Sequence, residues 1–329
     1  MENNSTQSSK KDSFFSIGSL TASDFISICT LVILFGYIFY NQSRQPSAEE
    51  TISDEGVIET EYDDLTSPLP AIAFDLPKKI TFAGEDVPLD IPDVRERLDK
   101  ELQINCYLHS NTIFLIKRAH RWLPQMEEIL RRNGIPDDFK YLPLIESNLL
   151  NVTSYRDAVG YWQILESSGK ELGLEITKEV DERFDPLKAT EAACKYLNKA
   201  HSKFSNWSLV AASYNRGMGG VERALEDQHV QSYYDLYLND ETARYVFRIL
   251  AIKEIIENPV KYGFKIEARQ LYQEEALRYV DVTETVNDLV SFSLQQGINY
   301  KLLKRHNPWL REDKLTVKKG KRYRIAIPS

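Results

Sequence analysis

Glu146 closes a short apolar run, Leu142, Pro143, Leu144 and Ile145. A carboxyl group held among such side chains resists ionising, so it can keep a proton for a leaving oxygen at neutral pH. A polar stretch at 148–157 follows. Next comes Gly160-Tyr161-Trp162-Gln163, which places an aromatic pair and an amide where a sugar ring would be met. Farther on, Ala211-Ala212-Ser213-Tyr214-Asn215-Arg216-Gly217 adds a hydroxyl, an amide and a glycine that permits close backbone approach. Together these residue types suit acid/base work on a glycosidic bond.

The elements that must position them read as helices. Periodicity begins at Asp93, with Val94, Leu98 and Leu102 and then Ile113, Phe114, Ile116 and Leu130 at three- and four-residue steps, and Asn133-Gly134-Ile135-Pro136 stops it. Asp137 or Asp138 then caps a helix carrying Tyr141, Leu142, Leu144 and Ile145, which sets Glu146 near its C-terminal end. Helical patterns continue over roughly 164–173, 187–204, 207–226 and 239–257. Past Tyr262-Gly263-Phe264 the pattern changes: β-branched and aromatic residues at 278–282, helical stretches near 285–293 and 299–306, and a strand-like 322–327. That order, strand, helix, helix, strand, describes a small α+β module.

Upstream, residues 25–40 (FISICTLVILFGYIFY) run sixteen positions without a charge. This is short for a span of about 20 residues, but aromatic ends and slight membrane thinning accommodate it. Cleavage would need small residues that are missing, since Pro46 stands three before the site that Ala48 would make; a lipoprotein would need a small residue before Cys29, where Ile28 stands. An uncleaved anchor is expected, with Lys10 and Lys11 on the cytoplasmic side and the bulk of the chain outside. Residues 41–92 are acidic, with eight carboxylates and no cation at 49–64, then punctuated by proline, as in a tether that docks at its end.

The formal net charge of -8 and the lack of a zinc-finger spacing or basic recognition helix make nucleic acid an unlikely partner. Cys29, Cys106 and Cys194 are too few and scattered for a disulfide framework or a metal site, and Cys106 and Cys194 read as small buried thiols. The ten Lys or Arg residues at 301–324, against Glu312 and Asp313, read as a solvated face.

Six blocks, taken in order, carry a family resemblance: LPLIES around Glu146, GYWQI around Gln163, DERFDP at 181–186, TEAACKYL at 190–197, AASYNRGMGGV at 211–221 and ETARYV at 241–246. They resemble the catalytic domain shared by goose-type lysozymes and lytic transglycosylases over roughly 118–264, with a looser match from about Phe82. The resemblance implies a lysozyme-like, all-helical fold in which Glu146 is the single catalytic acid/base and Ser147 its structural neighbour. It further implies that Ser154 and Gln163 contact the sugar and its acetamido group, that Tyr214, Asn215 and Tyr245 line the cleft, and that Glu241 marks a helix start. Tyr161, Ser213 and Ala243 depart from common relatives, which bears on subsite preference more than on chemistry.

The implied reaction cleaves the β-1,4 bond between N-acetylmuramic acid and N-acetylglucosamine in peptidoglycan and closes a 1,6-anhydro ring, without metal or organic cofactor. The C-terminal stretch is similar to a LysM module through Leu289, Gly297, Leu303, Asn307-Pro308, Leu315, Gly320 and 325–328. It holds none of the cleft residues, so it is expected as an appended unit adding residence on the wall. The expected organisation is a cytoplasmic tail at 1–24, an anchor at 25–40, a linker at 41–92, the lysozyme-like domain at 93–264 and the LysM-like module at 278–329. The expected location is the inner membrane, catalytic domain in the periplasm, with glycan strands and other cell-wall proteins as partners. Two rivals stay open: a hydrolase on the same fold, and an inert wall-binding scaffold.

Overall fold

The computed structural model describes residues 72–329. The expected tail, the membrane segment at 25–40 and linker positions 41–71 lie outside the described residues. Among those described, no helix is long and apolar enough to cross a membrane.

The body is built around one helix, α8 (Asp240–Glu257), in which Tyr245, Val246, Phe247, Ile249, Leu250, Ala251, Ile252 and Ile255 are all buried. Such all-round burial needs neighbours on every side. Packed directly on it are α1 (Pro92–Tyr107), α3 (Leu142–Ser147) and α6 (Trp207–Arg216); α2 (His109–Arg132), α5 (Pro186–Phe204) and α7 (Met218–Gln228) pack in turn on these or on one another, with the short α4 (Glu166–Glu171) beyond the cleft loop. The fold is mainly helical, as expected.

Several details differ from the sequence reading. The first periodic stretch is two helices, broken at Leu108 (φ -79, ψ 51). Phe114, assigned to the apolar face, is 47% exposed, while the next two positions, Leu115 and Ile116, turn inward. Neither Asp137 nor Asp138 caps a helix: a 3₁₀ turn, Asp137–Tyr141, starts after Pro136 with no side-chain cap. Asp138 instead accepts from Lys253 Nζ and from Ala83 N–H, each at 2.7 Å. A buried ammonium left without a counter-charge costs more than amides at a short turn, so the carboxylate goes to Lys253.

The end of the expected linker is part of this body. Ile80, Phe82, Val87 and Leu89 join the same buried cluster as the helices. A hairpin, β1 (Thr81–Phe82) with β2 (Glu85–Asp86), turns at Ala83 and Gly84, both at positive φ as a two-residue hairpin demands. It delivers the Glu85 carboxylate to Ser208 N–H at 3.1 Å, at the start of α6. Cys106 and Cys194 are both free and buried.

The C-terminal module pairs β3 (Leu277–Val282) antiparallel with β4 (Tyr323–Pro328), from Leu277 opposite Pro328 to Val282 opposite Tyr323. Helices α9 (Leu289–Gln295) and α10 (Tyr300–His306) lie between them, giving the expected order. The module packs on the helical domain. Val180, from the helical domain, belongs to the module's core beside Leu289, Leu303 and Ile325 and forms an antiparallel bridge with Leu310. Asp181 N–H donates to Trp309 O at 2.9 Å, and Arg311 N–H to Glu179 O at 2.8 Å. The Glu179 carboxylate receives Thr316 N–H at 2.7 Å and Oγ1 at 3.1 Å. The segment leading into Asp181 carries backbone donors and acceptors that need partners, and the module supplies them.

Candidate active site

The acid sits on the shortest of the well-buried helices. Pro143 starts α3 where its missing N–H is no loss, and Leu142, Pro143, Leu144, Ile145 and Ser147 are all buried. Asn148 and Leu149 then adopt the left-handed conformation (φ 54 each), ending the helix abruptly and leaving Glu146 at the wall of a cleft of about 340 Å³. Ser147 Oγ faces Pro143 O at 3.2 Å and Tyr161 O at 2.9 Å, tying the acid helix to the loop beyond it.

Burial pushes the Glu146 carboxyl up to about 7. The Tyr245 hydroxyl, which donates to Oε1, and the nearby Arg248 guanidinium pull it down, while Glu241 pushes it up. Tyr245, 1% exposed on the central helix, has its own ionisation pushed well above the usual phenol range by burial and by Glu146. Arg248 donates to Ile145 O at 2.6 Å, which fixes it beside the acid.

The residues expected from the sequence meet here: Glu146, Ser154, Gln163, Tyr214, Asn215 and Tyr245 all line this cleft. Ser154 Oγ accepts from Ala158 N–H at 3.0 Å and closes the loop on itself. Gln163 (φ 48) donates from Nε2 to Gly160 O at 2.8 Å, and its Oε1 makes no hydrogen bond among the described residues. The Tyr214 hydroxyl donates to Trp162 O at 2.8 Å. Asn215 accepts from Thr242 Oγ1 at 2.7 Å and donates to Glu241 at 3.1 Å, joining α6 to the start of α8. Glu241 lines the cleft from the exposed first turn of that helix. A second hollow, of about 450 Å³, shares Ile145, Glu241 and Arg248 with the first, so the groove continues past the acid.

Two expectations fail. The Tyr161-Trp162 pair offers no ring face to the cleft: Trp162 is fully buried with its Nε1 donating to Thr190 Oγ1 at 2.8 Å, and Tyr161 packs edge-on against Trp122. Tyr196, Tyr214 and the 85% exposed Tyr155 provide the aromatic lining instead. The glycine of close approach is also a different one. A Cβ on Gly217 would meet nothing, whereas one on Gly160 would sit 2.1 Å from Arg183 O.

That contact points to a pair the sequence reading left without a role. Asp181 and Arg183, both buried, form a two-point ion pair at 3.0 and 2.7 Å, and Arg183 Nη1 donates to Ile164 O at 3.2 Å and Asp157 O at 3.3 Å. The pair clamps the loop that carries Ser154 and Gln163. Arg248 was also missed, although its place one helical turn after Tyr245 puts both on one face.

The helical body thus holds one half-buried glutamate in a groove lined by hydroxyls, amides and tyrosines. Residues 126–236 match the transglycosylase SLT domain, and residues 278–329 match the soluble lytic transglycosylase C-terminal LysM-like domain. The chain is homologous to membrane-bound lytic murein transglycosylase D of Escherichia coli, at 29% identity over 235 residues, 69% of this chain and 50% of that protein. The same protein from a second Escherichia coli strain matches equally. The chain thus spans about half the length of the curated relatives it matches. Among solved structures, an inactive mutant of lytic transglycosylase Slt from Pseudomonas aeruginosa aligns over 46% of this chain and 26% of that one, at 18% identity and a TM-score of 0.34.

Proposed function

We propose that the chain is a peptidoglycan lytic transglycosylase that cleaves the bond between N-acetylmuramic acid and N-acetylglucosamine, with Glu146 as its only acid/base. The observation that carries this reading is the Glu146 carboxyl, raised to about 7 by burial and held by Tyr245. Protonated in the resting enzyme, it donates to the departing glycosidic oxygen. The carboxylate so formed then takes the proton of the muramic C6 hydroxyl as that oxygen closes on C1. The proton returns to Glu146 and no water is consumed. Each role is worth about 10² to 10⁴ in rate.

The other site residues serve position. The unpaired Oε1 of Gln163 and the Ser154 hydroxyl suit the acetamido group, and Tyr214 and Asn215 hold the walls of the groove. A hydrolytic outcome would need a water held by a second carboxylate. Asp157 is exposed and does not line the cleft, and Glu241 accepts from Asn215, which supports the intramolecular route. Residues 25–40 serve as an uncleaved inner-membrane anchor, placing residues 93–264 and the module at 278–329 in the periplasm. Other cell-wall proteins are the partners expected there.

The test is Glu146→Gln assayed on purified sacculi. Release of soluble fragments should cease while sedimentation with sacculi persists. More than a few per cent of residual release from the folded variant would overturn the assignment. Sequencing the mature N-terminus decides the anchor: a start near Ala48 would mean a cleaved leader.

A further inference from the structure

A second cavity, of about 460 Å³, lies where the C-terminal module meets the helical domain, within the size range of small-ligand sites, about 300 to 1,000 Å³. It is separate from the cleft, because no residue lines both. Its walls combine aromatic rings, among them Trp122, Tyr279 and Trp309, with the guanidinium groups of Arg118, Arg121, Arg305 and Arg324.

Four guanidinium groups face three carboxylates, Asp185, Glu274 and Glu275, which leaves one positive charge over. Glu275 engages Arg121 at 3.6 Å and also Arg305. Arg118 donates to Asn148 O at 2.6 Å and Arg324 lies over the Tyr279 ring at 4.1 Å, and neither has a carboxylate partner among the described residues. Arg118 is half-buried and has no counter-ion, so part of its charge is desolvated, a cost that a bound anion would offset. The His306 side chain is 91% buried at the same wall, and its Nε2 makes no hydrogen bond although Glu275 Oε2 lies 3.3 Å away. Burial lowers the readiness of this ring to take a proton, so at neutral pH it is a neutral polar edge facing the cavity.

We infer that this cavity is a second binding site, for a carboxylate-bearing sugar, with the carboxylate held between Arg118 and Arg324 and the ring laid against the aromatic walls. Planar guanidinium groups suit a carboxylate, and aromatic faces suit the apolar face of a sugar ring. In wall glycan stripped of its stem peptides the sugar with this chemistry is N-acetylmuramic acid, whose lactyl carboxylate, which N-acetylglucosamine lacks, is then free. The choice of sugar rests on the wall-glycan reading of the cleft; the site itself rests on the cavity.

The experiment uses the full chain labelled with fluorotryptophan, whose four fluorine resonances report Trp122 and Trp309 at the cavity, Trp162 behind the cleft and Trp207 elsewhere. N-acetylmuramic acid should shift the Trp122 and Trp309 signals saturably, and N-acetylglucosamine should bind about tenfold more weakly. Arg118→Gln and, independently, the exposed Arg324→Gln should each abolish that preference. Unchanged Trp162 and Trp207 signals establish that a variant is folded, and Arg324→Gln carries the test if Arg118→Gln is not. The inference is overturned if no saturable shift appears, if both sugars bind alike, if sodium lactate alone gives the same shifts, or if the preference survives both substitutions. A failure of the transglycosylase reading would appear in reaction products and leave these shifts in place.

Discussion

The cleft loop and the segment 175–181 that meets the module treat their polar groups in opposite ways. Around the cleft, Asn148, Leu149, Asp157 and Gln163, four of the seven non-glycine residues at positive φ among the described residues, fall within sixteen positions, and a carboxyl group is held where it resists ionising. Where residues 175–181 meet the module the groups are matched, in contrast to the second cavity: Glu175 with Tyr323 and Lys321, Glu179 with Thr316 and Lys314, Lys178 with Glu312. Strain kept only where the surroundings over-determine it marks a working site, and satisfied pairing marks structure. The Asp181–Arg183 pair stands between the two, since Asp181 N–H reaches the module while Arg183 holds the cleft loop.

The largest expected effect is on the strained side. Glu146→Gln should lower kcat by about 10³-fold or more. It should also stabilise the fold at high pH. A carboxyl whose folded pKa lies above its unfolded value is harder to ionise when folded, so it costs stability as pH rises from the unfolded value through about 7. Above that pH the glutamine variant should be more stable by about 1 to 2 kcal/mol, after discounting for the partial exposure of the site, and the gain should vanish in acid. Thermal melts at both extremes check this; equal stability at high pH would remove the contrast.

On the satisfied side, Arg183→Met should cost about 3 to 5 kcal/mol, because it strands the Asp181 carboxylate in the interior. Calorimetry should show one cooperative transition for the helical body and the module. Two separate transitions would restore the picture of an appended unit.

A subtler effect should follow from Tyr245→Phe. The lost hydroxyl stabilises the ionised acid, so its removal should raise the Glu146 pKa above about 7 and move the high-pH limb of kcat/KM upward. A downward move would contradict the hydrogen-bond assignment. The smallest expected effect is Asp157→Gly. At φ 60 on an exposed loop outside the cleft lining, it should gain up to about 1 kcal/mol of stability with turnover unchanged. Loss of turnover would reopen Asp157 as a water-holding carboxylate.

These contrasts also mark what was legible in the sequence. The apolar setting of Glu146 was, because the Leu142 to Ile145 run is adjacent to it in the chain and is buried with its helix. The strand, helix, helix, strand order was, because local periodicity carries it. The faces of Tyr161 and Trp162 were not: they lie in a tight turn, where neither helical nor strand period fixes direction. Gly160 and Gly217 looked alike, since only tertiary contact with Arg183 tells a crowded glycine from one chosen for its backbone angle. The docking of the module was invisible, since the contact of Glu179 with Thr316 spans 137 positions and leaves no periodic trace.

The central claim is that one carboxyl group both gives and takes the proton, with no water in the reaction. Mass spectrometry of the fragments that the purified chain releases from peptidoglycan tests it most directly. Every new muramic end should be a 1,6-anhydro ring, one water lighter than a hydrolysed end, with incorporation of oxygen from labelled water absent. Reducing muramic ends carrying the labelled oxygen would contradict the account and make the chain a hydrolase.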